Sequence, residues 1–266
     1  MNETEIAVQK DVLRGRKPRT LLLDIETFPV NSYNWGIYEQ NAIQVIDNTS
    51  IACIGMKWLD EKKVHVFALP DYKGYKPKSR DDKALCGTIH EFLEQADYII
   101  AHNLDKFDIK KINYRLIVNG YKPVSPYKQI DTLKVARKYF GFDSNKLDDL
   151  GRQLGVGRKT KHSGFEMWKG CMEGDMKAWA KMIAYNRQDV ILLEKVYLKM
   201  RGWNTTHPNG TFFTRRSIQC KTCLSTNLYK QGIDRIRAGW RQKYQCLDCG
   251  AWMRGDLEKQ KDDLLT

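Results

Sequence analysis

Residues 20–28 read "TLLLDIETF", an apolar run that ends in the acids Asp24 and Glu26. Three leucines followed by Asp-Ile-Glu predict a β-strand that is buried at its start. Side chains alternate between the two faces of a strand, so both acids are expected on the same face. Two carboxylates on one face repel each other unless they are solvated, one is protonated, or a cation lies between them. From this stretch alone, a strand end in solvent explains the acids equally well.

Downstream of this strand, the hydrophobic pattern predicts a β-hairpin and then strands that alternate with helices. The hairpin is predicted at 50–60 and 63–69, two further strands at 96–103 and 127–131, and helices at 81–95, 108–120, from Thr132, 146–156 and 174–200. An antiparallel hairpin followed by such alternation indicates a mixed α/β sheet with helices packed on it.

The length of 266 residues allows one sizeable domain and one small one. The predicted organisation is a flexible N-terminal segment at 1–17, a main domain at 18–200, a linker at 201–216, a small domain at 217–256 and a tail at 257–266. The linker prediction rests on the Gly, Pro, Asn and Thr that follow Met200.

The formal net charge of +13 favours an anionic partner, of which nucleic acid is the commonest, although solubility alone also explains it. The sequence contains no run of 18 apolar residues that would predict a membrane span, and its polar N-terminus has no apolar signal core. We therefore expect a soluble, intracellular protein of the cytoplasm. In such a protein, seven cysteines favour metal binding or buried thiols over disulfides.

Two later segments combine acids with an unusual setting. In "AHNLDKFDI" (101–109), a predicted strand enters a loop and Asp108 begins a helix. In "AYNRQDV" (184–190), Tyr185 and Asp189 are four residues apart on a predicted helix, so they share a face. Each has an ordinary alternative: Asp108 as a helix-capping or first-turn acid, and Asp189 as part of a solvated helix surface.

Taken together and in this order, the three segments resemble the DEDD superfamily of 3′–5′ exonucleases. The motif D-x-E-T occupies residues 24–27, N-x-x-x-F-D occupies 103–108, and Y-x-x-x-D occupies 185–189. The tyrosine of the third motif is typical of the DEDDy branch, which is similar to the proofreading domains of B-family DNA polymerases. The resemblance covers residues 18–200 and implies a ribonuclease-H-like fold, here without an attached polymerase.

The resemblance implies a metal-dependent 3′–5′ exonuclease that hydrolyses phosphodiester bonds, with DNA favoured over RNA as the substrate. The implied ligands of two Mg²⁺ or Mn²⁺ ions are Asp24, Glu26, Asp108 and Asp189. Hard carboxylate oxygens suit these ions, and bound cations would resolve the repulsion between the first two acids. Tyr185 completes the catalytic set and is expected to orient the attacking water, because a phenol is a poor base at neutral pH.

Further residues of the motifs are candidates for substrate contact. We expect Thr27, Asn103 and Phe107 to lie beside the terminal nucleotide, although core packing is the favoured alternative for Phe107. The spacing of the second motif selects Asp108 as the ligand and leaves Asp105 as a loop acid. Asp131 precedes a helix and is predicted to be its N-cap.

The C-terminal region contains two C-x-x-C pairs, Cys220 with Cys223 and Cys246 with Cys249, separated by 22 residues. Four thiolates at this spacing predict a structural Zn²⁺ site of the zinc-ribbon type. The alternative is two redox pairs or unrelated thiols.

Basic and aromatic residues alternate between the two cysteine pairs. Residues 201–250 contain nine Lys and Arg against two Asp, a net +7. This composition suits contact with nucleic acid, with Arg237 and Arg241 as candidate phosphate ligands, whereas the alternative places the aromatic rings in a small core. A protein partner for the ribbon is also compatible with the sequence.

Two other functions stay open on the sequence. The first is a non-catalytic module that binds or recruits nucleic acid on a nuclease scaffold. The second is a ribonuclease or a structure-specific endonuclease that uses the same acids. The biological pathway, which ranges from replication and repair to degradation of host DNA by a virus, is left open as well.

Overall fold

The computed structural model describes residues 15–38, 41–160, 164–214 and 218–259. Most of the N-terminal segment predicted to be flexible (1–14) and most of the predicted tail (260–266) lie outside these ranges. The described chain divides into two compact units, residues 19–196 on the one hand and residues 15–18 with the chain from 197 onward on the other. No helix in the described ranges is both long enough and apolar enough to cross a membrane.

The larger unit is built on a five-stranded sheet with the strand order β5-β4-β1-β6-β7. Its strands, together with the short pair β2 and β3, are β1 (Thr20–Phe28), β2 (Asn31–Tyr33), β3 (Gln44–Asp47), β4 (Ser50–Trp58), β5 (His65–Ala68), β6 (Tyr98–Ala101) and β7 (Lys128–Asp131). Strand β4 is antiparallel to β1 and β5, whereas β6 is parallel to β1 and β7. The predicted mixed sheet, including the antiparallel hairpin, is therefore confirmed.

Six helices of the described chain accompany this sheet. They are α1 (Lys83–Glu94), α2 (Asp108–Val118), α3 (Thr132–Tyr139), α4 (Leu147–Gln153), α5 (Phe165–Glu173) and α6 (Met176–Met200). The sequence pattern did not predict α5 or the hairpin of β2 and β3. The two hairpin strands are mostly exposed, and α5 is only nine residues long with Met167 and Cys171 buried, so the hydrophobic period is weak in both elements.

Strand β1 is held from one face by the main hydrophobic core. Leu21, Leu23 and Ile25 are buried there with Ile89 of α1 and Ile112 of α2. Complete burial of such a side chain is worth about 1.5–3 kcal/mol relative to its exposure. Because side chains alternate along the strand, this burial turns the intervening acids toward the opposite face.

Helix α6 lies close to the sheet at Gly55 of β4, which pairs with Asp24 of β1. A Cβ atom at Gly55 would lie 2.7 Å from both Asn186 Oδ1 and Val190 Cγ2 of the helix. Only glycine permits this approach, because real Cβ atoms essentially never come that near to another heavy atom. The close approach brings α6, with Tyr185 and Asp189, against the acid-bearing end of β1.

The smaller unit contains a three-stranded antiparallel sheet in the order β10-β9-β8. Its elements are a short helix α7 (Thr211–Thr214) and the strands β8 (Leu228–Ile236), β9 (Gly239–Cys246) and β10 (Trp252–Arg254). The stretch predicted as a linker also carries a 3-10 helix at Arg201–Trp203, in addition to α7. A Cβ atom at Gly202 would collide with the carbonyl oxygen of Cys249, so this part of the chain packs directly on the second cysteine pair.

Candidate active site

Three carboxylates from two distant parts of the chain meet beside the end of β1. One oxygen from each of Asp24, Glu26 and Asp189 lies within 4.8 Å of the others. Asp24 and Glu26 come from the same face of β1, as the strand period predicts, and Asp189 comes from α6. Asp189 is completely buried, so the interpretation of a solvated helix surface is wrong for this residue.

Asp108 reaches the same region from the first turn of α2. Its side chain does not cap the helix, because its Oδ1 accepts a hydrogen bond from the Ile25 amide of β1 at 3.3 Å. The residue is buried, and the carboxyl of Asp24 is the charge that contributes most to its raised pKa. The structure thus places Asp108 beside Asp24, although it is not one of the three acids whose oxygens lie within 4.8 Å of one another.

Burial and mutual repulsion make these carboxyls unusually weak acids. Burial, followed by the charge of Asp189, raises the pKa of Asp24 to about 7. Burial, followed by the charges of Asp24 and Asp189, raises the pKa of Glu26 to about 9. Burial and Asp24 likewise raise the pKa of Asp108 well above its usual range. Such a cluster favours bound positive charge, since a cation stabilises the ionised form of every member.

Asn186 of α6 connects the helix to the strand. Its amide nitrogen donates to Oδ2 of Asp24 at 2.8 Å and to the backbone oxygen of Asp24 at 3.0 Å. The side chain is completely buried. The motif pattern does not include this residue, although its position between Tyr185 and Asp189 in the third motif is a visible signal. Asn186 therefore holds Asp24 in one orientation.

Lys159 is a second residue at the cluster that lies outside the three motifs. Its ammonium lies 2.5 Å from Asp189 Oδ2 and donates to the phenol oxygen of Tyr185 at 3.1 Å. Burial lowers the pKa of Lys159, but the charges of Asp189 and Asp24 outweigh burial and raise that pKa above its ordinary value. Asp148 of α4 anchors this lysine by accepting a hydrogen bond from its backbone amide at 2.6 Å. A fixed positive charge therefore touches the acidic cluster.

The donor set fits a hard divalent cation. Carboxylate oxygens are the ligands that Mg²⁺ and Mn²⁺ prefer, and here three of them converge in a buried place with a fourth acid adjacent. No histidine or cysteine belongs to this group of the described residues, which argues against a softer metal.

The predicted substrate residues differ in how they are placed. Thr27 is half-buried next to a bulge in the pairing of β1 with β4, directly after Glu26. Asn103 has a left-handed backbone with φ of 69°, and its carbonyl accepts the amides that form the turn before α2. Phe107 is 38% exposed, so the expectation of core packing for this ring is wrong. Its position immediately before Asp108 leaves it available to a ligand.

Two acids that the spacing set aside have structural roles. The side chain of Asp131 accepts hydrogen bonds from the amides of Leu133 and Lys134, which confirms the predicted N-cap of α3. Asp131 also accepts a bond from the Asn103 amide at 3.0 Å and so steadies the turn of the second motif. Asp105 forms an ion pair with Lys134 on the surface of the loop.

The four cysteines of the C-terminal region come together as the spacing predicts. The sulfurs of Cys220 and Cys249 lie 3.6 Å apart, and those of Cys223 and Cys246 lie 3.5 Å apart. A disulfide requires about 2.05 Å, whereas tetrahedral Zn²⁺ with bonds of about 2.3 Å separates its sulfurs by about 3.8 Å. The geometry fits a zinc ribbon and does not fit two disulfides.

The two arginines predicted to contact phosphate differ in their exposure to solvent. Arg237 is exposed in the turn between β8 and β9. Arg241 is half-buried on β9, the middle strand, where it lies opposite Asp234 of β8 in the strand register. Arg237 is therefore the better placed of the two for a ligand in solution.

The architecture and the acidic cluster agree with a comparison of the sequence with protein families. The family model RNase_H_2, described as RNase_H superfamily, matches residues 22–201. The chain belongs to the RNase_H superfamily. The matched residues include all four acids and Tyr185, and the fold is accordingly ribonuclease-H-like. No curated protein is significantly similar to this RNase_H superfamily chain.

Among solved structures, one similar chain is the family B DNA polymerase from the hyperthermophilic archaeon Pyrobaculum calidifontis. The sequence identity is 16% and the TM-score is 0.49. The similarity covers 69% of this RNase_H superfamily chain but only 25% of the polymerase chain.

Proposed function

We propose that this chain is a metal-dependent 3′–5′ exonuclease of the DEDDy type that acts on DNA. The observation that carries the proposal is the convergence of Asp24, Glu26 and Asp189 within 4.8 Å. Asp108 lies next to Asp24, and Tyr185 lies one helical turn before Asp189. A ribonuclease-H-like fold with this acid set is suited to hydrolysis of phosphodiesters in nucleic acid.

The four acids would hold two Mg²⁺ or Mn²⁺ ions. When bound, such ions lower the pKa of an attacking water and stabilise the departing oxygen of the phosphodiester. Asn186 keeps the Asp24 carboxylate turned toward the cluster through its two hydrogen bonds. Lys159 restrains Asp189 and Tyr185 together, because its ammonium contacts both side chains.

Tyr185 would act as a hydrogen-bond donor rather than as a base. Burial and the charge of Asp189 raise the pKa of its phenol above the ordinary value near 10. The phenol thus stays protonated at neutral pH, and it can orient a water or a phosphate oxygen by hydrogen bonding. Thr27, Asn103 and Phe107, which belong to the first two motifs, would contact the terminal nucleotide.

The zinc ribbon would add a second contact with nucleic acid. Residues 201–250 carry a net +7, and exposed Arg237 lies in the turn between β8 and β9. Neutralisation of phosphates releases counterions, so binding through this unit should weaken steeply as the salt concentration rises. A protein that binds to the ribbon is the other partner that its surface would accommodate.

A non-catalytic nucleic-acid-binding scaffold is the second candidate function. The ion pair of Lys159 with Asp189 favours it, because a built-in ammonium compensates part of the acidic charge without any metal. A metal-dependence assay separates the two proposals.

The assay uses single strands labelled at either end, with and without Mn²⁺, and compares the wild type with Asp24→Asn. The exonuclease proposal expects mononucleotide release from the 3′ end that requires Mn²⁺ and is lost in Asp24→Asn, while strand binding remains. Asp105→Asn is the matched control, since this acid pairs with Lys134 on the loop, and it should cleave normally. No release under any salt condition favours the scaffold, and internal cuts or preference for RNA favour an endonuclease or a ribonuclease.

A further inference from the structure

The hairpin of β2 and β3 follows the first acid motif directly in the chain and is not part of the central sheet. Strand β1 ends at Phe28, and β2 begins at Asn31. The seven Cα–Cα steps from Glu26 to Tyr33 span at most about 25 Å when fully extended. The hairpin is therefore a neighbour of the acidic cluster along the chain.

Large apolar side chains cover this hairpin, and they are exposed. Tyr33 is 63%, Trp35 is 91% and Tyr38 is 81% exposed. The aliphatic residues Ile37, Ile43, Val45 and Ile46 are also exposed or half-exposed. Several large exposed apolar side chains within one short hairpin indicate a binding site, because exposed apolar residues are common singly but not in groups. We name residues 31–38 and 41–47 the aromatic hairpin.

A basic segment is fastened to the base of the aromatic hairpin. The guanidinium of Arg80 donates to the carbonyl of Pro29 at 2.6 Å and lies 3.7 Å from Asp47 Oδ2. Arg80 ends a stretch, residues 73–80, that contains four basic residues and no acid. Lys73, Lys76 and Lys78 of this stretch are exposed. The described part of the hairpin itself contains no lysine or arginine, so rings and positive charge lie on two adjoining elements.

We propose that Tyr33, Trp35 and Tyr38 form a base-stacking platform for a single strand of nucleic acid on its way to the carboxylate cluster. Exposed rings beside exposed lysines match the two components of a single strand, whose bases stack on aromatic faces while its phosphates contact basic side chains. The bases of a duplex are already stacked within the helix. The platform would therefore select unpaired strands or frayed ends as substrates. This inference rests on the proposed exonuclease function.

Binding of a labelled thymidine 12-mer to the full-length chain tests the platform. The measurements use the Asp24→Asn background, in which the strand is not cleaved and no chelator is needed that would remove zinc. Trp35→Ala should raise the Kd at least about fivefold, because one stacked base is worth roughly 1–3 kcal/mol. Trp35→Phe, which keeps a ring, should stay within about twofold of the parent protein, as should Ile117→Ala, which truncates an apolar side chain that is 74% exposed on α2.

An abasic strand of the same length provides the decisive comparison. It keeps the phosphates and lacks the bases, so the parent protein and Trp35→Ala should bind it equally. An equal loss on the abasic and the normal strand would overturn the stacking proposal. An unchanged Kd for the normal strand would overturn it as well, and self-association that depends on Trp35 would then assign the hairpin to an interface between copies of the chain.

The result of the binding test with Trp35→Ala does not depend on whether the protein cleaves nucleic acid. A base-dependent effect of Trp35→Ala in a protein that cleaves no substrate would support the platform and refute the exonuclease. Normal binding by Trp35→Ala in a protein that cleaves single strands would do the reverse.

Discussion

The ammonium of Lys159 lies 2.5 Å from the buried carboxylate of Asp189. The two residues are 30 positions apart in the sequence, one in a basic loop and the other in helix α6. Among the described residues, Lys159 is the cation whose charge lowers the pKa of both Asp24 and Glu26. A bound divalent cation and this ammonium would therefore compete for the same carboxylate.

Replacement of Lys159 by methionine should destabilise the protein in the absence of divalent metal. Asp189 is completely buried, and the loss of its partner leaves an uncompensated charge. We expect the free energy of unfolding to fall by about 1–3 kcal/mol, less than for a fully buried pair because Lys159 is itself 30% exposed. Mn²⁺ should then raise the melting temperature more in Lys159→Met than in the wild type.

Lys134→Met is the matched control for this experiment, because Lys134 pairs with Asp105 at the surface. Its effect on the free energy of unfolding should stay below about 1 kcal/mol and should not depend on Mn²⁺. Equal responses of the two variants to denaturant and metal would contradict the role assigned to Lys159.

Asn186→Ala should reduce cleavage more than it reduces stability. The substitution removes both hydrogen bonds to Asp24, which costs about 1–3 kcal/mol in the free energy of unfolding and frees the carboxylate to rotate. We expect cleavage of a single strand to fall at least about tenfold at a temperature where the variant is fully folded. Denaturant titration and initial rates check the two effects separately.

Asn119→Ala serves as the control, because its amide bonds to Asp82 in another buried network at 2.8 Å. This variant should lose comparable stability and keep its cleavage rate. If both variants lose activity in proportion to stability, Asn186 has only a structural role.

Gly55→Ala should separate helix α6 from the sheet. The new Cβ atom would lie 2.7 Å from Asn186 Oδ1 and Val190 Cγ2, so the helix must move. Overpacking of this kind costs about 1–3 kcal/mol and would displace Asp189 from the other acids. Thermal unfolding and Mn²⁺ titration should both report the change, whereas Gly141→Ala, where no atom lies within 4 Å of the added methyl, should behave as the wild type.

Cys246→Ser should abolish stoichiometric zinc in the purified protein. Its sulfur lies 3.5 Å from that of Cys223 within the four-cysteine cluster, and three remaining thiolates bind Zn²⁺ much more weakly. Elemental analysis should give one zinc per chain for the wild type and for Cys171→Ser, a buried cysteine outside the cluster. Full zinc occupancy in Cys246→Ser would rule out the quartet as the site.

Local sequence patterns were sufficient for much of the fold. The apolar run before Asp24 predicted β1, and the period of two placed Asp24 and Glu26 on one face, because side-chain direction along a strand depends only on position. The spacing of the two C-x-x-C pairs likewise predicted the cysteine cluster. The aromatic hairpin and α5 were missed, since the strands of the hairpin are mostly exposed and α5 is only nine residues long, with Met167 and Cys171 as its buried residues.

Phe107 illustrates how a local pattern fails. The aromatic residue of the second motif was expected to pack in the core, yet its ring is 38% exposed in the turn that begins at Asn103. Arg241 is a similar case. It was predicted to contact phosphate, but it is half-buried because β9 lies between β8 and β10 in the sheet.

From the sequence alone come the identities of the acids, the tyrosine and the cysteines, together with the strand and helices that carry most of them. Tertiary packing decided that Asn186 would bind Asp24, that Lys159 would contact Asp189, and that Gly55 would let the helix approach. The physical reason is that these contacts join residues far apart in the chain. Their geometry follows from the way that α6 and the basic loop pack against the sheet, and no local periodicity encodes that arrangement.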